Sequence, residues 1–275
     1  MLRTEIYRML KSRSFRISLL VGCSIAIWEL IVVAIPYAYG PEWAFMRSGA
    51  DGAYPPSLFN SWLGGTPFSL PSLVYFFVAP LLACIPYASS LHTDCAGGFA
   101  IQLLVRSDAR TYLRSKIVSS VVGAIVAVEI PLLLSLLLTA TVLPALPPEA
   151  TAGTFFVSPT AMLGDLFYAH TWMYLMSYFL IEICTICAIA WAGTLLGLVL
   201  PNALMTTVAP FMICMILSVA LTPFNASSYT PAELLNPSPT GAANVIVALM
   251  AYGSILILCL VITCIITKHI EWLQQ

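Results

Sequence analysis

The chain has 275 residues, of which 60% are hydrophobic and only 8% are charged, and its mean hydropathy is +0.95. A soluble domain is roughly 45–50% apolar and about a quarter charged, so this composition predicts a membrane protein. The formal net charge of -1 excludes bulk electrostatic attraction to nucleic acid, and no nucleic-acid partner is expected.

Residues 1–14 precede the first long apolar segment and form an amphipathic pattern. Leu2, Ile6, Met9 and Leu10 share one helical face, while cations lie elsewhere. This spacing is typical of a helix in the cytoplasmic interface of a membrane. The alternative is a disordered basic tail that only orients the chain.

Six apolar segments are each long enough to cross a bilayer, whose ~30 Å hydrocarbon core needs roughly 20 helical residues. Continuous apolar runs lack the alternation of barrel strands, and lipid requires every backbone group to be satisfied within its segment, so all six should be helices. The predicted fold class is an all-α polytopic membrane protein with a single transmembrane domain over residues 1–275. The predicted spans are 17–36, 71–92, 117–143, 170–198, 203–222 and 244–267.

The cations indicate the orientation of these spans. Ten of the eleven Lys and Arg residues precede the first span, lie between the second and third, or follow the sixth, and only Arg47 falls on the other side. Cytoplasmic loops carry the excess of Lys and Arg, so both termini are expected in the cytoplasm. All eight cysteines then lie within the spans or on the cytoplasmic side, where thiols stay reduced, and no disulfide is expected.

The longest outer segment, 37–70, is rich in Pro, Gly and aromatic residues such as Trp43, Phe59 and Trp62. Aromatic rings of this kind suit the boundary between membrane and water, which is the interpretation we adopt for them. The alternative is that they cap an exit path.

The cytoplasmic segment 93–116 begins with Asp94, Gly97 and Gly98, which break the second span. A short apolar stretch follows, and a run of cations then leads into the third span. An apolar patch on a charged loop is poorly solvated unless membrane or protein covers it. The pattern of this segment therefore indicates a docking surface.

Three carboxylates lie inside predicted spans: Glu29, Glu129 and Glu182. A charge at the bilayer centre costs at least ~2.5–3.5 kcal/mol on insertion scales, so each is a functional candidate. They could relay protons in a stand-alone secondary transporter, or they could make interhelical hydrogen bonds as protonated carboxyls. Glu29 could instead reach the outer interface.

The motifs of ATP binding and of intramembrane proteolysis are missing from the sequence. It contains no GxxxxGK[ST] loop, no HExxH and no serine nucleophile motif with a paired histidine. No enzyme activity, cofactor or metal is therefore expected in this chain.

Two stretches resemble the ABC-2-type permeases, the membrane subunits of bacterial ABC exporters. One is the first fifteen residues, MLRTEIYRMLKSRSF, and the other is DCAGG at 94–98 with the short apolar helix, Arg110, Tyr112 and Lys116 that follow. The run FNSWLG at 59–64 resembles a branch that includes permeases of lantibiotic and other peptide-antibiotic immunity exporters.

The resemblance implies a multi-pass subunit of the bacterial cytoplasmic membrane that pairs with a second permease copy or paralogue. Two separate ATPase subunits would bind ATP and Mg²⁺, and the complex would export an amphiphilic peptide or drug-like substrate by alternating access. The turn at Pro201 and Asn202 carries no cation, which argues against a second ATPase contact there.

The resemblance also implies roles for individual residues. Segment 97–106 would be the coupling helix on the ATPase, with these contact residues: Gly98, Phe99, Leu103, Leu104, Arg106 and Arg110. The second and fifth spans would line the path, with these substrate contacts: Tyr75, Phe76, Phe77, Phe211, Met212 and Met215. Ordinary packing is the alternative for the second set.

Overall fold

The computed structural model describes residues 1–48, 54–105, 108–238 and 244–273. Within these ranges the regular secondary structure is entirely helical. The α-helices are α1 (Leu2–Lys11), α2 (Arg13–Glu29), α3 (Ile35–Tyr39), α4 (Ala44–Arg47), α5 (Leu70–Cys84), α6 (Ser90–Ala96), α7 (Phe99–Leu104), α8 (Ala109–Ala140), α9 (Gly164–Ala169), α10 (Thr171–Leu196), α11 (Ala203–Leu221), α12 (Pro231–Leu234) and α13 (Val245–Leu273).

Five helical segments in the described part of the chain are long and apolar enough to cross a membrane. They are Arg13–Tyr39, Ala109–Ala140, Thr171–Leu196, Ala203–Phe224 and Val245–Lys268. Each overlaps one of the predicted spans, so the chain is a helical protein of the multi-pass membrane type. The first of them passes from α2 through a π-helical turn, Leu30–Ala34, into α3.

The predicted second span, 71–92, is not one continuous helix. Helix α5 ends at Cys84, a turn covers 85–89, and α6 begins at Ser90. Pro86 lies in that turn, where its missing N–H and its ring oppose continuation of the helix. With 15 residues, α5 is about 22 Å long at 1.5 Å per residue, shorter than the ~30 Å core.

Residues 56–67, here called the outer plug, are all buried in the bundle. The Leu58 N–H donates to the Pro144 carbonyl over 2.9 Å, and the Leu63 N–H donates to Ser135 Oγ over 3.0 Å. These bonds satisfy an irregular backbone, which is tolerated at membrane depth only inside protein. The interfacial interpretation is therefore wrong for Phe59 and Trp62, which both lie in the core, where Trp62 packs against Phe179.

Small residues let the long helices approach closely. A β-carbon at Gly22 of α2 would lie 2.5 Å from Pro131 Cγ of α8, and one at Gly193 of α10 would lie 3.0 Å from Pro210 Cγ of α11.

Helices α8 and α10 lie at the centre, with 50% and 56% of their most apolar stretches buried. The corresponding value is 17% for both α11 and α13, which present most of their surface outward.

Candidate functional site

Four charged side chains join α1, α6 and α8, and we call them the charge cluster: Glu5, Arg8, Asp94 and Lys116. The Lys116 ammonium is fully buried and lies 2.7 Å from Glu5 Oε2 and 2.5 Å from Asp94 Oδ2. Arg8 lies on the more exposed side, 2.9 Å from Glu5 Oε1 and 3.1 Å from Asp94 Oδ1. Two cations thus balance two carboxylates.

Two tyrosines complete the hydrogen bonding of the charge cluster. The Tyr87 hydroxyl donates to Glu5 Oε2 over 2.6 Å, and the Tyr112 hydroxyl donates to Asp94 Oδ2 over 3.3 Å. The Lys116 ammonium also lies 5.0 Å from the centre of the Tyr87 ring, a distance at which the ring attracts a cation. The cluster therefore locks α1 and α6 onto α8.

The acids of the charge cluster remain ionised. Burial alone would raise the pKa of Glu5, but hydrogen bonds from Lys116 and Tyr87 and the charges of Lys116 and Arg8 hold it below the usual 4.5. Burial likewise raises the pKa of Asp94, but hydrogen bonds from Arg8 and Lys116 lower it further, and the net pKa falls below 3.8.

Our sequence interpretation treated Lys116 as an orienting cation and Asp94 as a helix breaker, and it missed Glu5.

Helix α7 follows α6, the helix that carries Asp94 of the charge cluster. It begins after Gly98, whose φ of +71° favours glycine, and open space around that residue shows that conformation rather than crowding makes the demand. The next residue, Phe99, is 40% exposed, and the Arg8 guanidinium carbon lies 5.1 Å from the centre of its ring. Arg8 therefore touches both the carboxylates and α7.

The residues exposed on and next to α7 are not all those predicted to contact the ATPase. Leu103 and Leu104 are half-buried against the bundle, in a small core with Leu91 and Leu113. The most exposed apolar side chains are Ile101, at 68%, and Val105, at 83%. Arg110 is exposed in the first turn of α8, and the predicted contact at Arg106 lies outside the described residues.

The six predicted substrate contacts fall into two groups. Tyr75 and Phe76 are buried in the core, where the Tyr75 hydroxyl donates to the Val128 carbonyl over 2.5 Å. Phe77 and Met212 are exposed, whereas Phe211 and Met215 are half-buried. The rings of Phe77 and Phe211 lie edge to face with centres 5.5 Å apart, which links α5 to α11.

Glu29 lies at the end of α2 and is buried. Its carboxylate accepts hydrogen bonds from Thr66 Oγ1 over 2.5 Å and from Ser69 Oγ over 2.8 Å. The carboxylate therefore ties the end of the outer plug to the helix just before the π-helical turn. Such turns are frequently found at functional sites.

Glu129 of α8 and Glu182 of α10 form what we call the carboxyl pair. Both are buried, and none of their four carboxyl oxygens has a hydrogen-bond partner among the described residues. Residues from separate predicted spans thus lie on α8 and α10, the two central helices, which pack against each other. The interhelical hydrogen bond considered from sequence is not formed by either group within the described ranges.

The carboxyl pair is suited to holding protons. An unpaired carboxylate in a dry interior costs several kcal/mol, and a second one nearby adds repulsion.

Among the described residues, no group of three or more His, Cys, Asp or Glu side chains is arranged to hold a metal ion.

Comparisons with family models, curated proteins and solved structures gave no match to this chain.

Proposed function

We propose that this chain is the permease subunit of an ATP-driven exporter, moving an amphiphilic substrate by alternating access with a separate ATPase. The observation that carries the proposal is α7, a six-residue helix beside the charge cluster, with Phe99 and Ile101 exposed on the helix and Val105 exposed directly after it. An exposed apolar surface on a charged segment indicates contact with a protein or with the membrane, and we propose a protein partner here. In this proposal that partner is the ATPase.

The charge cluster supplies a route for coupling. Arg8 contacts Phe99 as well as Asp94, and Lys116 fixes Asp94 to α8. A displacement of α7 by the ATPase would therefore be transmitted to the central helix rather than absorbed by a loose loop. Such transmission requires elements with two discrete arrangements, here the positions of α7 and α8 in the two transport states.

The proposal includes a topology and a location. Helices α5 and α6, with the turn between them, would make the sixth crossing and place both termini in the cytoplasm of a bacterial inner membrane. The outward surfaces of α5 and α11, with Phe77 and Met212, would face a second permease and the substrate. The exposed surface of α11 and the sequence resemblance to ABC-2-type permeases support this arrangement.

The test is association with the P-loop ATPase that we expect to be encoded beside this gene. We expect Phe99→Asp and Ile101→Asp to abolish co-purification of the ATPase in mild detergent, since a charge would be buried at the contact. Phe45→Asp is the matched control, because Phe45 is an exposed phenylalanine of α4, on the side predicted to be external. Normal association and transport in both α7 variants would refute the proposal.

The carboxyl pair favours a second candidate, a stand-alone proton-coupled secondary transporter. Efflux of an amphiphilic fluorescent dye from proteoliposomes distinguishes the two candidates. An exporter driven by ATP requires its ATPase and continues when the proton gradient is collapsed with ATP maintained. If the purified chain alone moved dye down a pH gradient, and Glu129→Gln or Glu182→Gln stopped this movement, the second candidate would hold.

A further inference from the structure

A cleft of about 470 Å³ opens between α8, α10 and α13. Helices α8 and α13 both pack on α10 and touch each other, so α10 forms the floor and the other two helices form the walls. Val118 and Val121 line one wall, Leu256 and Leu260 line the other, and Trp191 lies on the floor.

The length of the cleft matches one leaflet of a bilayer. The lining residues of α8 extend from Arg114 to Val122, and those of α13 extend from Leu256 to Cys264. Each stretch covers a rise of about 12 Å at 1.5 Å per residue. Half of a ~30 Å hydrocarbon core is about 15 Å, so the cleft accommodates most of an extended acyl chain.

The polar groups of Trp191 on the floor and Thr263 on the α13 wall are already satisfied. Trp191 Nε1 donates to Thr263 Oγ1 over 3.1 Å, and Thr263 Oγ1 donates to the Cys259 carbonyl over 2.7 Å. What remains for an occupant is a wall of aliphatic side chains. Such a surface favours a hydrocarbon chain over a polar solute.

Positive charge is concentrated at one end of the cleft. Arg114 lines this end, is exposed, and has no ion pair or hydrogen bond of its side chain with other described residues. Lys268 lies one helical turn beyond Cys264 on α13, and Arg110 lies one turn before Arg114 on α8. A guanidinium matches the geometry of a phosphate, and basic pockets between membrane helices bind anionic headgroups.

We propose that this cleft binds one anionic phospholipid, with an acyl chain between α8 and α13 and its phosphate on Arg114 and Lys268. The apolar length selects a lipid chain, and the cations at one end select the charge of its headgroup. The site goes beyond the proposed function, since it is independent of how transport is energised.

The test measures lipid binding to the full-length chain in detergent. Phosphatidylglycerol and phosphatidylcholine with identical chains, brominated in mid-chain, are titrated while the quenching of Trp191 fluorescence is followed. The Trp191 signal is obtained by subtracting a Trp191→Phe variant. We expect phosphatidylglycerol to bind more tightly and Arg114→Gln to weaken it about fivefold, which is the contribution of one cation near an anionic headgroup.

Two variants complete the design. Val121→Phe fills the cleft without adding a second fluorescent indole and should abolish quenching, and Arg3→Gln removes an exposed cation of α1 and should change nothing. Thermal unfolding identifies variants that have lost their fold, and Val118→Phe replaces Val121→Phe if the latter does not fold. Equal binding of both lipids with no effect of Arg114→Gln would mean that lipid associates with the chain only non-specifically. Loss of self-association in the filled variants with quenching unchanged would mean that a second copy covers the cleft. Either result overturns the proposal.

Discussion

Replacement of Lys116 by methionine tests the structural importance of the charge cluster. The variant keeps the volume of the side chain but removes the ammonium that lies 2.7 Å from Glu5 and 2.5 Å from Asp94. Both carboxylates are buried and would keep Arg8, which is partly exposed, as their one cation in the charge cluster, together with the tyrosine hydrogen bonds. Removing one partner of a buried ion pair costs about 3–5 kcal/mol, because the remaining charge is left uncompensated.

The measurement is thermal unfolding in detergent. A loss of about 3–5 kcal/mol corresponds to a fall in Tm of roughly 6–20 °C at about 2–4 °C per kcal/mol. Lys11→Met is the matched control, since Lys11 is an exposed lysine on α1. Its effect should stay within about 0.5 kcal/mol, as for most surface substitutions.

A triple variant separates charge from packing. Lys116→Met combined with Glu5→Gln and Asp94→Asn removes the uncompensated charges while it preserves volume, so most of the lost stability should return. Persistence of the full loss in the triple variant would attribute the defect to packing. A single variant as stable as Lys11→Met would refute the reasoning, because the cluster would then contribute nothing.

Three further predictions concern the protonation of Glu5, the packing of two glycines and the orientation of the chain. The folded-state pKa of Glu5 lies below 4.5, so its contribution to folding stability is complete at neutral pH and is lost in acid. Tm should therefore be flat above roughly pH 5 and fall below that pH, and the fall should be less steep in Glu5→Gln. Gly22→Ala should lower Tm because its β-carbon would lie 2.5 Å from a proline ring, whereas Gly253→Ala, with open space in α13, should raise stability by about 0.5–1 kcal/mol. In a cysteine-free background, Asp108→Cys should react with an impermeant thiol reagent only from inside the cell and Glu149→Cys only from outside, and the opposite result would invert the topology.

The sequence predicted the elements whose cause is local. Five of the candidate spans match long apolar runs, because helix formation in lipid depends on length and composition within one segment. The helix predicted in residues 1–14 is α1, whose amphipathic spacing is also local. The break after Cys84 also has a local cause, Pro86 in the turn that follows, although the predicted span 71–92 ran across it.

The features that the sequence did not predict depend on contacts between distant residues. Glu5 and Asp94 are separated by 89 positions, and only packing on α8 brings both to Lys116. Helical spacing also does not indicate which side of α7 faces the bundle, so Leu103 was assigned to the partner although it contacts the core.

The outer plug has a consequence for leakage of ions. Its residues are buried, and hydrogen bonds join it to Ser135, Pro144, Leu146, Thr154 and Ser238, so it is held in the bundle at the end predicted to be external. Opening a channel there would require all of these bonds to break and Trp62 to leave the core. A single copy of this chain should therefore be electrically silent in a planar bilayer.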